Sequence, residues 1–185
     1  PRFETELLVE KTLEKIEVLQ NETREKFIKV LDLCTGTGVI GITVKKTIPG
    51  VECTLSDISS DALELAADNS KSLKAGVRIV QSDLFEEFAD EKFDIIVSNP
   101  PYIRRADIDK LQTEVREFDP HLALDGGEDG LEFYRNIADE VQNYLKRSGY
   151  LICEIGADQG DDVVKIFKEA GAVNARIIKD FTDKD

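Results

Sequence analysis

Apolar and polar positions along this chain follow two periods. From 4 to 19 apolar residues recur every three or four positions, with Val9, Leu13 and Ile16 on one face, which predicts a helix. Short, nearly continuous apolar runs then alternate with helical stretches. The runs are KVLDLC (29–34), ECTLSDI (52–58), VRIVQSD (77–83), FDIIVSN (93–99), GYLICEIG (149–156) and ARIIKD (175–180), and the helices lie at 39–48, 61–74, 131–146 and 161–170. In the 131–146 helix Leu131, Tyr134, Ala138, Val141 and Leu145 mark the buried face. Runs this apolar are covered on both sides, so the expected fold is α/β: a doubly wound, mostly parallel sheet with helices on both faces. Such sheets bind ligands beyond the carboxyl ends of their strands, which directs the search for chemistry to the residues after each strand.

One long connection interrupts the alternation, from 104 to 130. Its second half, FDPHLALDGGEDG, is rich in glycine and aspartate, and a short helix is expected at 108–118. A connection of this length inside a compact domain points to a substrate-facing role, the alternative being an ordinary surface excursion that carries the short helix.

Composition narrows the class. At 185 residues the chain corresponds to one domain, and with 41% apolar and 34% charged residues it has an ordinary globular composition. No window approaches the roughly 18 uninterrupted apolar residues of a membrane helix. The 24 basic and 38 acidic residues leave a net charge of −14, spread along the chain, which disfavours binding to phosphate backbones. No basic and apolar leader precedes the first helix, so secretion is not expected. Methionine is absent, even at position 1, so a piece of a longer protein is expected. Cys34, Cys53 and Cys153 lie in apolar runs without a CxxC pair and read as buried thiols of a reducing cytosol. The lone histidine, His121, reads as a loop residue, and without a histidine cluster no metal site is expected.

After the first strand the chain reads Asp32, Leu33, Cys34, Thr35, Gly36, Thr37, Gly38, a strand–glycine–helix junction of GxGxxG form ending at Gly41. Glycines there permit a sharp turn and close approach of a ligand. The second strand ends in Asp57 and Ile58, where a carboxylate can accept hydrogen bonds from ribose hydroxyls. This pairing predicts a nucleoside cofactor without distinguishing a dinucleotide from S-adenosylmethionine. Asp32 favours the latter, because a carboxylate suits an ammonium and a sulfonium better than a pyrophosphate. Asp83 and Leu84, after the third strand, are placed for the polar edge and the face of an adenine.

The fourth strand runs into Asn99, Pro100, Pro101 and Tyr102. The prolines remove backbone donors and fix φ, leaving the Asn99 side-chain oxygen and the Pro100 carbonyl as acceptors. A planar NH2 group has two donors to match them, and Tyr102 can cover its flat face. This suits methylation of an amide or aromatic amine nitrogen.

With these segments in view the chain resembles the class I, Rossmann-like, S-adenosylmethionine-dependent methyltransferases, and specifically the HemK/PrmC family that methylates a glutamine of peptide chain release factors. The resemblance rests on Pro1-Arg2-Phe3-Glu4-Thr5-Glu6, on Asn99-Pro100-Pro101-Tyr102-Ile103, on the run from Leu124 through Gly126, Gly127 and Gly130 to Arg135, and on Glu154-Ile155-Gly156 with Gln159. It implies a helix at 1–20 leading into a methyltransferase domain at 21–185, in a cytoplasmic enzyme. It also implies a cofactor, S-adenosylmethionine, leaving as S-adenosylhomocysteine, over Asp32, Cys34, Thr35, Gly36, Thr37, Gly38, Asp57, Ile58, Asp83, Leu84 and Asn99. The substrate glutamine, from a Gly-Gly-Gln loop, is then expected on Asn99, Pro100, Pro101 and Tyr102, with Arg2 and Thr5 near the entrance. Cys34 stands where glycine is common in that family, and Leu84 where some members carry an aromatic. The family's small helical domain before Pro1 and its final antiparallel strand are missing here, so the native protein is expected to be longer at both ends. The alternatives are a nucleic acid amino-methyltransferase of the same fold, or a cofactor-binding module or dinucleotide enzyme.

Overall fold

A computed structural model describes residues 3–23, 27–110 and 123–179. The elements in chain order are α1 (Phe3–Thr23), β1 (Lys29–Leu33), α2 (Val39–Thr47), β2 (Glu52–Asp57), α3 (Ser60–Leu73), β3 (Arg78–Gln81) and β4 (Phe93–Ser98). A 3-10 helix (Arg105–Lys110), α4 (Glu132–Tyr144), β5 (Leu145–Cys153) and α5 (Gly160–Glu169) follow. The strands form one parallel sheet in the order β3-β2-β1-β4-β5, so the order reverses between β1 and β4.

By compactness the chain divides into Pro1–Asn99 with Gln142–Glu154, and Pro100–Val141 with Ile155–Asp185. The first unit carries the whole sheet with α1, α2 and α3. Val30, Cys53 and Ile95 are register partners on one sheet face, and with Val97 they pack against Leu8, Ile16 and Leu19 of α1 and Ile40 and Val44 of α2. All six residues of β4 are buried, as a central strand requires. Its one carboxylate, Asp94, accepts from the Lys29 backbone N–H at 2.8 Å and lies 2.9 Å from the Lys146 ammonium. Ser59 caps α3, its hydroxyl accepting from the Ala62 N–H at 3.2 Å.

Three expectations are corrected. The buried face of α1 is centred on Leu8, Thr12, Ile16 and Leu19, with Val9 and Leu13 at its margin; Thr12 is tolerated inside because its hydroxyl donates to the Leu8 carbonyl at 2.8 Å. The strand β5 starts at Leu145 rather than Gly149, with a register shift between Phe93↔Leu145 and Ile95↔Tyr150. The expected sixth strand, ARIIKD, is not formed over 175–179, where the backbone has no ladder partner among the described residues. The helix expected at 108–118 begins as the 3-10 turn Arg105–Lys110, and its remainder lies outside the described residues, as do Arg2 and His121.

In the second unit, 103–105 pairs with 124–127. The Ile103 N–H donates to the Leu124 carbonyl (3.1 Å), the Gly126 N–H to the Ile103 carbonyl (2.8 Å) and the Arg105 N–H to the Gly127 carbonyl (2.9 Å). Tyr134, Ile137, Ala138 and Val141 are the buried stripe of α4; three of them are expected, Ile137 is added, and the helix ends at Tyr144, so Leu145, expected on its buried face, lies in β5. Arg105 pairs with Asp125, Arg135 with Asp129 and Arg104 with Asp158, so part of the acidic run is neutralised locally.

Candidate active site

The turn after β1 is built around two carboxylates. Cys34, Gly36 and Gly38 all adopt left-handed backbone, with φ of 58°, 55° and 82°. Gly38 is also sterically closed: a Cβ there would meet the Ile42 and Leu55 methyls at 2.8 and 3.0 Å. Cys34 holds the same backbone region with a side chain, a strained choice that explains why glycine suits the position. The Thr35 N–H donates to the Ser56 carbonyl at 2.9 Å, which ties the turn to β2.

Asp57, at the end of β2, accepts from the Gly36 N–H (2.8 Å) with one oxygen and from the Ser59 N–H (3.0 Å) with the other. It therefore shapes the turn and keeps lone pairs in reserve. Asp32 is fully buried. Its Oδ2 accepts from the Thr35 hydroxyl (2.7 Å) and the Gly41 N–H (2.8 Å), whereas Oδ1 has no partner among the described residues. Burial pushes its carboxyl up to about 6, against the opposing pull of the Thr35 and Gly41 hydrogen bonds. The Ser56 hydroxyl, on the neighbouring strand, is also buried and unpartnered among the described residues. The unpartnered Asp32 oxygen stands beside the glycine turn and is open to a polar ligand, whereas Ser56, whose register partner is Leu33 rather than Asp32, belongs to the other face of the sheet.

The remaining expected cofactor residues stand at other strand ends of the same unit. Ile58 is 45% exposed. Asp83 is exposed, and Leu84 is buried with φ 43°, its carbonyl held by the Ser82 hydroxyl at 2.9 Å. Thr37 accepts from the Asn69 side-chain amide with its carbonyl (3.0 Å). All three cysteines are free, and burial pushes their thiols up, Cys153 to about 12, so they remain protonated. Among the described residues no group of three or more His, Cys, Asp or Glu is placed to hold a metal ion.

Asn99, half-buried, follows the last residue of β4 and ends the first unit; Pro100 and Pro101, both buried, and half-buried Tyr102 open the second. The Tyr102 carbonyl accepts from Gln159 Nε2 at 3.0 Å. Gly126 lies so close that a Cβ on it would meet the Tyr102 Cα at 2.7 Å. Thr5 is buried in the first full turn of α1. The sequence reading gave Gln159 no role, and it missed Ser56 and the 103–105/124–127 pairing. The signals available were the Gly156-x-x-Gln159 spacing and three glycines within five residues at 126–130.

The family model of the methyltransferase small domain matches residues 5–128. The release factor glutamine methyltransferase of Clostridium acetobutylicum is 43% identical over 189 residues, covering 100% of this chain and 64% of that protein. That of Streptococcus pneumoniae is 43% identical over 169 residues, covering 91% of this chain and 58% of its own length. The chain thus spans about three fifths of the length of the curated relatives it matches. Among solved structures, a ribosomal protein L11 methylase from Lactobacillus delbrueckii superposes with TM-score 0.60 at 20% identity, covering 90% of this chain and 68% of that one. A precorrin-6y C5,15-methyltransferase from Geobacter metallireducens gives 0.58 at 16%, covering 88% and 70%. The structural likeness establishes the class I methyltransferase fold, and the family-model match goes further: this chain belongs to the methyltransferase small domain family.

Proposed function

We propose that the chain is the catalytic part of a protein-glutamine N5-methyltransferase that takes its methyl group from S-adenosylmethionine and acts on the Gly-Gly-Gln loop of peptide chain release factors in the cytoplasm. The observation that carries this reading is the 43% identity, over the whole chain, with a curated release factor glutamine methyltransferase.

When bound, S-adenosylmethionine supplies an electrophilic methyl group on a sulfonium. The residues of the first unit fit it. Asp32, with its orphaned Oδ1, provides negative charge for a cationic ligand, and the Gly36–Gly38 turn lets the backbone come close. Asp57 retains lone pairs for ribose hydroxyls, and Leu84 offers an apolar surface to the adenine.

The acceptor nitrogen of a glutamine amide is a poor nucleophile because its lone pair is delocalised into the carbonyl. Asn99 Oδ1 and the Pro100 carbonyl, each accepting one N–H, hold the amide plane fixed and raise electron density at nitrogen. The prolines leave no N–H at 100 or 101 to compete for those acceptors. Tyr102 covers the amide face. Orientation of this kind is worth up to roughly 7–11 kcal/mol of barrier, so no strong base is needed before attack; the acceptor nitrogen, held by Asn99 and Pro100, would release its proton to solvent once it had taken the methyl group that the cofactor would supply.

The test is transfer of labelled methyl from S-adenosylmethionine to a release factor. Label should appear on the protein and vanish when the loop glutamine becomes alanine; label on DNA or RNA instead would favour the amino-methyltransferase reading, which the −14 charge counts against. Asn99→Ala should lower kcat by roughly a thousandfold, with a much smaller loss of cofactor affinity because Asn99 is one of many expected cofactor contacts. Unchanged turnover would remove the amide clamp from the mechanism.

A further inference from the structure

Gln159 precedes α5 and is 3% exposed, yet its amide is fully engaged. Nε2 donates both hydrogens, to the Tyr102 carbonyl at 3.0 Å and to the Gly130 carbonyl at 3.1 Å, and Oε1 accepts from the Gly156 N–H at 3.0 Å. The orientation of the amide is forced, since the reverse would set its oxygen against two carbonyls. The slot is tight as well: a Cβ on Gly130 would meet both Gln159 Nε2 and the Tyr102 oxygen at 2.5 Å. Pro100 and Pro101 cannot donate hydrogen bonds, so the backbone of this segment is anchored through its carbonyls and through amides from Tyr102 onward.

We propose that Gln159 is a positioning residue for methyl transfer: by gripping the Tyr102 carbonyl it fixes the main chain of the Pro100–Tyr102 acceptor platform against the 124–130 segment. This rests on the function proposed above. The alternative is that Gln159 merely closes the turn before α5 through Gly156. The two roles separate chemically. Glutamate at 159 keeps an acceptor for the Gly156 N–H but replaces the donors to Tyr102 and Gly130 with a carboxylate oxygen that repels them.

The experiment compares Gln159→Glu and Gln159→Met with the parent chain by amide hydrogen exchange, by S-adenosylmethionine titration and by kcat and KM for a release factor. Both variants should raise exchange at Ile103 and Gly126 by about tenfold or more and lower kcat by roughly 10–100-fold, the range expected for losing one or two hydrogen bonds. Cofactor affinity should stay within about twofold. A Gln159→Glu variant with parental exchange and kcat overturns the proposal, and it does so even if Gln159→Met fails to fold. A parent chain that transfers methyl to no acceptor sinks the function instead, and the exchange comparison then decides the role of Gln159 alone.

Discussion

The glycine turn after β1 and the acceptor segment after β4 are both strand ends, but they are held in different ways. The first is tied by contacts close in sequence: Asp32 to Thr35 and Gly41, three and nine residues away, and Asp57 to Gly36, 21 residues away. The second depends on partners 29 and 57 residues apart, which join Gly130 and Tyr102 to Gln159. A ligand-binding turn can thus be written into one strand–turn–helix unit. The segment proposed above as the acceptor platform is held by partners remote in sequence, and its position depends on all of them.

Remote assembly should be the more fragile arrangement, and Gly130→Ala tests this most severely. A Cβ there clashes at 2.5 Å with two groups, on backbone with φ 77°. A loss of about 3–4 kcal/mol in urea denaturation is expected, with methyl transfer falling at least tenfold and S-adenosylmethionine affinity within about threefold. A matching loss of cofactor affinity would show that the two regions are not separable.

The turn, for its part, should trade stability for ligand. The Asp32 carboxyl is raised from 3.8 to about 6, so the folded state holds that proton more tightly than the unfolded state. Its contribution is fully present below about pH 4 and is lost as pH rises through 6. In Asp32→Asn the decline in stability between pH 4 and 7 should shrink by about 3 kcal/mol, measured by denaturation at each pH. The same substitution should weaken S-adenosylmethionine binding by tenfold or more at pH 7.5. If affinity is unchanged, Asp32 serves only to brace the turn.

The smallest effect is expected at Cys34. Replacing it with glycine relieves a left-handed backbone but adds unfolded-state freedom, for a net gain of about 0.5–1 kcal/mol in stability. A loss would mean that the packing of the thiol outweighs the strain.

The same contrast explains what could be read from the sequence. The first five strands, the helices between them, the glycine turn and the placing of Asp32 and Asp57 at strand ends are local patterns, and the structure reproduces them to within a few residues; the sixth strand it does not. The face of α1 was misjudged because a threonine that satisfies its own hydroxyl counts as apolar in packing and polar in pattern. The early start of β5 accompanies a register shift against β4, where Phe93 pairs with Leu145, and no periodicity reveals such a shift. The grip of Gln159 depends on loop geometry that brings 102, 130 and 156 to one amide, and the sequence marks it only as part of the Glu154-Ile155-Gly156 segment of the family resemblance, without a partner.

The reversal of strand order at β1 has a consequence for biogenesis. Strands β1, β2 and β3 are neighbours in both sequence and space, so they can assemble as the chain emerges. The other edge of β1 waits for β4, and the bond from Lys29 to Asp94 spans 65 residues. At roughly 5–20 residues per second the ribosome needs about 3–13 s to deliver that partner. During this interval a half-formed sheet presents the unpaired edge of Lys29–Leu33, four of whose five residues are buried in the finished protein, to everything around it. Order of synthesis therefore leaves this edge open until β4 arrives, and a non-local pairing of this kind forms slowly.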